Sequence, residues 1–114
     1  MNNARAETVA QKPSFREAYR RRRCLIPANG YYEWKLEHGL KQPYYITPSS
    51  GALFAFAGLW EQWQDLQTCA IITTEANEKM AHVHDRMPVI LDRDDYPRWL
   101  AGEEGLLHAC ASNA

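Results

Sequence analysis

The apolar segment at residues 52–60 constrains the fold more than any other part of the chain. It reads ALFAFAGLW, so an extended conformation would be apolar on both faces, interrupted only by Gly58. Such a strand needs cover on both sides and belongs in the centre of a sheet. The segment is also too short for a transmembrane helix, which needs about 20 apolar residues. We therefore predict a central buried strand and no membrane partner.

Shorter strand patterns flank this segment on both sides. Residues 31–36 alternate, so Tyr31 and Glu33 face one way while Tyr32 and Trp34 face the other. Further strands are predicted at 24–27, 43–47, 68–74 and 87–91, and short helices at 76–83 and 94–100. Residues 14–17 have the S-x-x-E form of a capping box, which predicts a helix running into the arginines that follow. This order predicts an α+β fold, strand-dominated, with an antiparallel sheet and short flanking helices.

The length and the cysteines limit the class of protein. A chain of 114 residues that is 46% hydrophobic and 24% charged is typical of one globular domain, here 1–114, and excludes collagen-like, coiled-coil and disordered chains. No basic-then-apolar leader opens it, so we expect no secretory signal. The three cysteines, Cys24, Cys69 and Cys110, form no CxxC pair. That number and spacing favour a reducing compartment, with the cytoplasm as default, over disulfides or a zinc finger.

The charge is distributed unevenly although the net charge is only -1. Residues 1–23 hold seven basic and two acidic side chains, whereas the rest of the chain holds six basic and twelve acidic ones. A basic segment of this kind indicates either a polyanion partner or a solvated helix face.

Three polar clusters lie beside the apolar strands, at residues 3–8, 29–34 and 73–88. Glu33 is either a solvent-facing strand residue or a general acid/base among aromatic side chains. His84 is either a core histidine or a proton carrier. His82 and His84 have a spacing seen in metal pairs, but no third ligand lies nearby in sequence, so we predict no metal site.

Three tryptophans lie at or near strand ends, and two roles are open to them. Trp34, Trp60 and Trp63 could stack on the bases of a nucleic acid. Side chains of this size are more often part of the core, and we expect that for Trp60.

Taken together, the clusters resemble one known family. The segments NARAET, RCLIPANGYYEWK, GLWE, IITTEAN and HDRMPVIL occur in this order between about residues 3 and 100. They resemble the SOS response-associated peptidase (SRAP) family. The resemblance implies a SRAP-type sheet or partly open barrel, with no cofactor and no metal.

The resemblance also implies a function and a set of site residues. Family members shield abasic sites in single-stranded DNA and crosslink to the ring-opened sugar through an amino-terminal cysteine, whose amine forms a Schiff base and whose thiol closes a thiazolidine. They also release their own initiator methionine, hence the name peptidase. The positions carried over are Asn3, Glu33 and His84 as catalytic residues, and Arg5, Trp34, Thr73 and Arg86 as DNA contacts.

Elementary chemistry is compatible with these roles. Glu33 can take a proton from the attacking amine, and His84 can donate one to the opening sugar ring. Asn3 can hold the amine without adding charge. Arg5 and Arg86 can neutralise phosphates in bidentate geometry, and the early basic segment would extend that patch.

The two ends of the chain depart from the family pattern. Family chains open Met-Cys-Gly-Arg, whereas this sequence opens Met-Asn-Asn-Ala-Arg, and the family's later Pro-Val-Ser and Val-Asn segments are not found after Leu107. We therefore expect the middle of a SRAP domain without its nucleophile, which Cys24, Cys69 and Cys110 do not replace. An open sheet edge would then favour a homodimer by strand exchange.

Three interpretations follow from the sequence. The first is an abasic-site processing protein of the bacterial cytoplasm or nucleoid, acting on single-stranded DNA. The second is a non-catalytic remnant that at most binds such DNA. The third is an unrelated small hydrolase that uses Glu33 and His84.

Overall fold

Strands dominate the computed structural model, which describes residues 2–48 and 51–110. Within these ranges the strands are β1 (Asn2–Arg5), β2 (Arg23–Ala28), β3 (Tyr31–Glu37), β4 (Leu40–Ile46), β5 (Phe54–Trp63), β6 (Leu66–Glu75), β7 (Arg86–Pro88) and β8 (Ile90–Leu91). The α-helices are α1 (Arg16–Arg21) and α2 (Tyr96–Leu100), with 3₁₀ turns at Met80–His82 and Arg93–Asp95. The predicted strand-dominated α+β class is confirmed.

The main sheet has the strand order β1-β6-β5-β2, so β5 is central as predicted. Strand β5 pairs antiparallel with both β2 and β6. Strand β1 runs parallel to β6, with Asn3 opposite Ile71 and Arg5 opposite Thr73. The sheet is therefore mixed rather than purely antiparallel, and it curls into a half-barrel.

A segment near the end of the chain is inserted between β5 and β6. The backbone N–H of Val89 donates to the carbonyl of Ile72 at 2.8 Å, and the N–H of Ala57 donates to the carbonyl of Val89 at 2.9 Å. On either side of Val89, β7 pairs with β6 and β8 pairs with β5. The single strand expected at 87–91 is thus two short strands that fill the gap where β5 and β6 diverge.

The core lies on one face of the main sheet, under the helices. Ala57, Leu59 and Ile72 are at most 1% exposed, and Trp99 of α2 is fully buried against them. The prediction that Trp60 belongs to the core is wrong, because Trp60 is 36% exposed. Side chains alternate along a strand, so Leu59 turns inward and its neighbour turns outward.

Two of the expected helices differ from the sequence prediction. Helix α1 begins at Arg16, and its N-cap residue Phe15 makes no side-chain capping bond, so the predicted capping box is wrong. The helix predicted at 76–83 is only a 3₁₀ turn. There Asn77 Oδ1 accepts from the Met80 N–H at 2.9 Å, while its Nδ2 donates to the Cys110 carbonyl at 3.1 Å, and these bonds hold a turn instead of a helix. Across the described ranges, no helix has the length and apolarity that a bilayer crossing requires.

The arginine run at residues 20–23 does not form one free cationic face. The Arg23 guanidinium is buried between the rings of Tyr19 and Trp99, 4.3 and 4.2 Å from their centroids, with its side chain only 4% exposed. It donates to the backbone carbonyls of Tyr19, Trp99 and Glu103. The other three pair with carboxylates, Arg20 and Arg21 with Glu17 and Arg22 with Glu61. Arg20 and Arg21 share the one carboxylate of Glu17, so the charge of the run is partly compensated within the fold.

The β3–β4 hairpin forms a second, two-stranded sheet. It turns at His38 and Gly39, whose φ values of 52° and 78° are left-handed. At its base Gly30 allows the Tyr45 ring to pass close by, since a Cβ there would lie 2.4 Å from the Tyr45 ring and hydroxyl. The predicted alternation is confirmed: Glu33 is half-buried, and its neighbour Trp34 is exposed.

Candidate functional site

The three polar clusters of the sequence meet at one cavity of about 200 Å³, which we call the polar cavity. It is lined by Asn3, Tyr31, Tyr32, Glu33, Phe56, Ile71, Thr73, His84, Arg86, Met87 and Pro88. The structure therefore brings together Asn3, Glu33 and His84, which lie far apart in the chain.

Each of the three side chains reaches the cavity through its own strand or turn. Asn3 alternates on β1 with Ala4, which is 1% exposed in the core, so Asn3 lies on the opposite face. Glu33 lies on the half-buried face of β3. His84 follows the 3₁₀ turn, and its backbone N–H donates to the Met80 carbonyl at 2.9 Å.

Glu33 and His84 form a carboxylate–imidazole pair inside the cavity. Nδ1 of His84 lies 3.2 Å from Oε2 of Glu33 and 3.3 Å from Oδ1 of Asp85. The same nitrogen accepts from the backbone N–H of Arg86 at 3.1 Å. One ring nitrogen has a single in-plane position for a hydrogen bond. An unprotonated Nδ1 therefore accepts from the Arg86 N–H, whereas a protonated one donates to one of three nearby oxygens, those of Glu33, Asp85 and the Arg86 carbonyl at 3.2 Å.

Arg86 forms one wall of the cavity and is bonded within the protein. Its Nη1 and Nη2 donate to the two carboxylate oxygens of Glu7 at 2.6 and 2.9 Å. Nη2 also donates to the carbonyl and the hydroxyl oxygen of Thr73, at 2.9 and 3.2 Å. Its Nε–H is buried and has no partner within the described residues, so this guanidinium keeps a donor that these bonds do not use.

Arg5 and Trp34 lie outside the polar cavity. Arg5 is exposed at the end of β1, opposite Thr73 in the strand register. Its side chain makes no hydrogen bond or ion pair within residues 2–48 and 51–110. Trp34 is 55% exposed on the outer face of β3, opposite Pro43 of β4. Both side chains are accessible to a partner molecule.

The cysteines do not line the polar cavity. Cys24, Cys69 and Cys110 are unpaired and half-buried. Burial raises the pKa of the Cys24 and Cys110 thiols, which keeps them protonated and weakly nucleophilic. Within the described part of the chain, no three histidine, cysteine or acidic residues are grouped in a way that could hold a metal ion.

A second cavity of about 320 Å³ adjoins the first, and Tyr31 and Met87 line both. Apolar side chains make up most of its wall, among them Phe54, Met80 and Ile90. Burial raises the pKa of the Tyr31 phenol, whose hydroxyl has no partner within the described residues.

Sequence reasoning missed Glu7, which lies within the first polar cluster. Glu7 is 79 positions from Arg86, and nothing local in the sequence indicates their contact. The one signal in the sequence is an acidic residue in a mostly basic segment, since Glu7 lies two residues after Arg5.

Comparison with known proteins identifies the family. The family model described as SOS response associated peptidase (SRAP) matches residues 1–112. The chain belongs to the SRAP family. The third interpretation, an unrelated hydrolase, is therefore wrong.

Among SRAP relatives, the abasic site processing protein YoaM of Bacillus subtilis is 54% identical over 106 residues, covering 88% of this chain and 47% of YoaM. The abasic site processing protein HMCES of Xenopus tropicalis is 33% identical over 124 residues, covering 87% of this chain and 37% of HMCES. A crystal structure of a Bacteroides thetaiotaomicron protein has the same fold, with a TM-score of 0.89, 36% identity and coverage of 96% of this chain and 54% of that one. The chain thus spans 47% of YoaM, 37% of HMCES and 54% of the Bacteroides protein.

Proposed function

We propose that this SRAP chain binds and processes abasic sites in single-stranded DNA. The observation that carries the proposal is the meeting of Asn3, Glu33 and His84 in one polar cavity. The relatives named abasic site processing proteins support the same substrate.

The size of the polar cavity favours a single sugar as its occupant. Sites for drug-sized molecules usually occupy about 300–1,000 Å³, whereas this cavity measures about 200 Å³. A deoxyribose without its base is smaller than a nucleotide and carries hydroxyl and aldehyde oxygens. Asn3 and the Glu33–His84 pair offer donors and acceptors for those oxygens.

The Glu33–His84 pair is suited to proton transfer during Schiff-base formation. The nitrogen of a neutral amine attacks the aldehyde carbon, and loss of water then gives an imine. The carbonyl oxygen must gain protons as it leaves, and the amine must lose them. Glu33 would accept a proton from the amine and His84 would supply one to the oxygen, while Asn3 holds the amine.

Contacts to the DNA strand would lie around the cavity mouth. Arg5 is the cation best placed for a phosphate, since its side chain makes no hydrogen bond or ion pair within residues 2–48 and 51–110 and lies near Glu7 only electrostatically. Thr73 and Arg86 would contact the strand at the cavity wall. Trp34 would stack on a base, because an exposed aromatic face accepts any base.

The nucleophile in this proposal is an amino-terminal cysteine, because a thiazolidine needs an amine and a thiol on one residue. In the family pattern the opening Met-Cys-Gly-Arg supplies that cysteine. Removal of the methionine exposes the cysteine, and this removal is the proposed self-processing peptidase activity. The alternative is that this chain only binds single-stranded DNA.

The compartment and the assembly are part of the same proposal. Three unpaired cysteines fit the reducing bacterial cytoplasm, where the chain would meet the nucleoid. Strands β1 and β2 are at the edges of the main sheet, and strand exchange with a second copy would cover them. Light scattering would detect the resulting homodimer, and a monomer at micromolar concentration would contradict it.

Fluorescence anisotropy with labelled oligonucleotides tests the binding proposal. We expect tighter binding to a single strand with one abasic site than to the intact strand or the duplex. Equal affinity for abasic and intact strands would contradict the proposal that the polar cavity holds the sugar of an abasic site. A Trp34→Ala variant that binds at full affinity would remove the stacking argument.

Denaturing electrophoresis tests the covalent step. We expect no crosslinked band with an abasic strand unless borohydride traps a transient imine. A stable band without borohydride would point to an internal cysteine and contradict the proposed nucleophile. The same chain with a Met-Cys-Gly-Arg opening added should give the stable band; its absence there would support the alternative of binding only.

A further inference from the structure

The outer face of the β3–β4 hairpin is aromatic and carries no carboxylate within β3 and β4. Side chains alternate along a strand, so Tyr32 and Trp34 share this face of β3, and Tyr45 of β4 lies opposite Tyr32 in the register. Both acids of β3, Glu33 and Glu37, lie on the other face. Tyr32 is 66% exposed and Tyr45 is 48% exposed. This face is therefore open to a partner and has no negative charge to repel a polyanion.

Tyr32 and Tyr45 form a packed pair that is anchored to the base of the hairpin. Their ring centroids lie 4.9 Å apart, with an angle of 53° between the ring planes. The Tyr45 hydroxyl donates to Oδ1 of Asn29 at 3.1 Å. The Tyr45 ring also passes close to Gly30, where a Cβ would lie 2.4 Å from it. A molecule that stacks on this pair meets a surface that is already ordered, which lowers the entropic cost of binding.

The tyrosine pair is continuous with the polar cavity, because Tyr32 also lines that cavity. Trp34 lies two residues further along β3, about 7 Å from Tyr32 at the usual rise of a strand. Lys41, opposite Leu36 in the register, is a cation on the same outer face. Its side chain makes no ion pair within residues 2–48 and 51–110. The face therefore joins aromatic rings and a free positive charge to the mouth of the cavity, a combination that suits single-stranded nucleic acid.

We propose that the Tyr32–Tyr45 pair is a stacking site for a base that flanks the abasic sugar. An aromatic ring accepts any base, because every base has a π face. The site is separate from the Trp34 contact and lies nearer to the cavity. The inference rests on the proposed function, since it takes the polar cavity as the place of the abasic sugar.

A fluorescent base beside the abasic site tests this stacking. The emission of 2-aminopurine, an adenine analogue, falls when its ring stacks. The probe is placed on either side of one abasic site in a single strand, and the 114-residue chain is added to saturation. With wild type we expect quenching on at least one side. Tyr32→Leu keeps the apolar bulk but has no aromatic face, so it should lose the quenching and bind about tenfold more weakly.

Matched variants control for effects on the hairpin itself. Tyr32→Phe keeps the ring and should behave as wild type. Tyr44→Leu makes the same change on the opposite face of β4, where the Tyr44 hydroxyl donates to Glu37, and it should keep the quenching. Circular dichroism checks that each variant folds. If Tyr32→Leu does not fold, Trp34→Leu decides instead: quenching that survives the loss of Trp34 supports the pair, and quenching lost with Trp34 overturns it.

The outcomes separate this inference from the proposed function. Quenching that survives in a folded Tyr32→Leu protein would overturn the stacking site, even if the preference for abasic strands remains. Normal DNA binding by Tyr32→Leu together with loss of self-association would also overturn it and assign this face to a second copy of the chain. Tyrosine-dependent quenching without any preference for abasic strands would support the stacking site and contradict the proposed function. Wild type that binds no single strand would contradict both.

Discussion

Glu33 and His84 are separated by 51 positions in the chain, yet Oε2 of the first lies 3.2 Å from Nδ1 of the second. The carboxylate is the more buried partner, with its side chain 25% exposed against 43% for the imidazole. Strand β3 therefore presents an acid to a histidine that is still open to solvent.

Replacing this acid should reduce the preference for abasic DNA. A hydrogen bond to a charged group is worth about 1.5–3 kcal/mol, so we expect Glu33→Gln to lower the affinity ratio of abasic to intact strands about tenfold. Anisotropy titrations measure that ratio. Glu37→Gln makes the same change at the far end of β3, where Glu37 accepts a hydrogen bond from the exposed Tyr44 hydroxyl, and it should keep the wild-type ratio. Equal losses in both variants would contradict a role for the cavity.

The salt dependence of DNA binding should depend on Arg5 and not on α1. Each neutralised phosphate contributes about 0.7 to the slope of log affinity against log salt for single strands. Arg5→Ala should reduce that slope by about one such contact, because Arg5 is an unpaired exposed cation within the described ranges. Arg20 already pairs with Glu17, so Arg20→Ala should leave the slope almost unchanged. If Arg20→Ala instead reduced the slope more than Arg5→Ala, the result would favour the arginine run at residues 20–23 as the DNA-binding surface.

Arg23 should matter for stability and Arg20 should not. Truncating Arg23 removes its hydrogen bonds to the carbonyls of Tyr19, Trp99 and Glu103 and removes the cation from between two rings. We expect Arg23→Ala to lower the free energy of unfolding by about 3 kcal/mol, within the range for breaking a buried network. Urea denaturation measures the loss. Arg20→Ala, with a side chain 63% exposed, should stay within about 0.5 kcal/mol of wild type.

The Glu7–Arg86 pair should stabilise the protein in a defined pH range. The folded-state pKa of Glu7 is lowered from 4.5 to about 2, mainly by its hydrogen bonds to Arg86. A lowered acid pKa gives stability that is complete above pH 4.5 and is lost as the pH falls towards 2. Wild type should therefore be more stable than Glu7→Gln at pH 7, and the difference should shrink between pH 4.5 and 2. Urea titrations at several pH values check this, and a constant difference would contradict it.

The central strand and the inward face of β3 could be predicted because both depend on local periodicity. Residues 55–59 are buried on both faces as their composition requires, and the alternation around Glu33 places it inward. The gathering of Asn3, Glu33 and His84 in one cavity could be inferred only from their shared catalytic role in the family resemblance, since no local pattern relates β1 to β3.

The features that sequence reasoning missed depend on partners that are distant in the chain. A run of arginines indicates a solvated face unless aromatic rings enclose one of them, and Trp99 lies 76 positions after Arg23. Likewise, β1 runs parallel to β6 only because the fold places that distant strand beside it, which no local pattern indicates. At residues 76–83 a helix pattern is overridden because the Asn77 side chain bonds to Cys110, 33 positions later.

The insertion of β7 and β8 between β5 and β6 also sets the order in which the chain can fold. Strands β5 and β6 are joined by a tight turn and can pair early, whereas Val89 must return to a gap that exists only once that hairpin has formed. Contacts between distant positions form late, because closing a long loop costs entropy before any contact rewards it. We therefore expect Glu33 and His84 to meet in a late step of folding, so that a partly folded chain would have hairpins but no paired acid and imidazole.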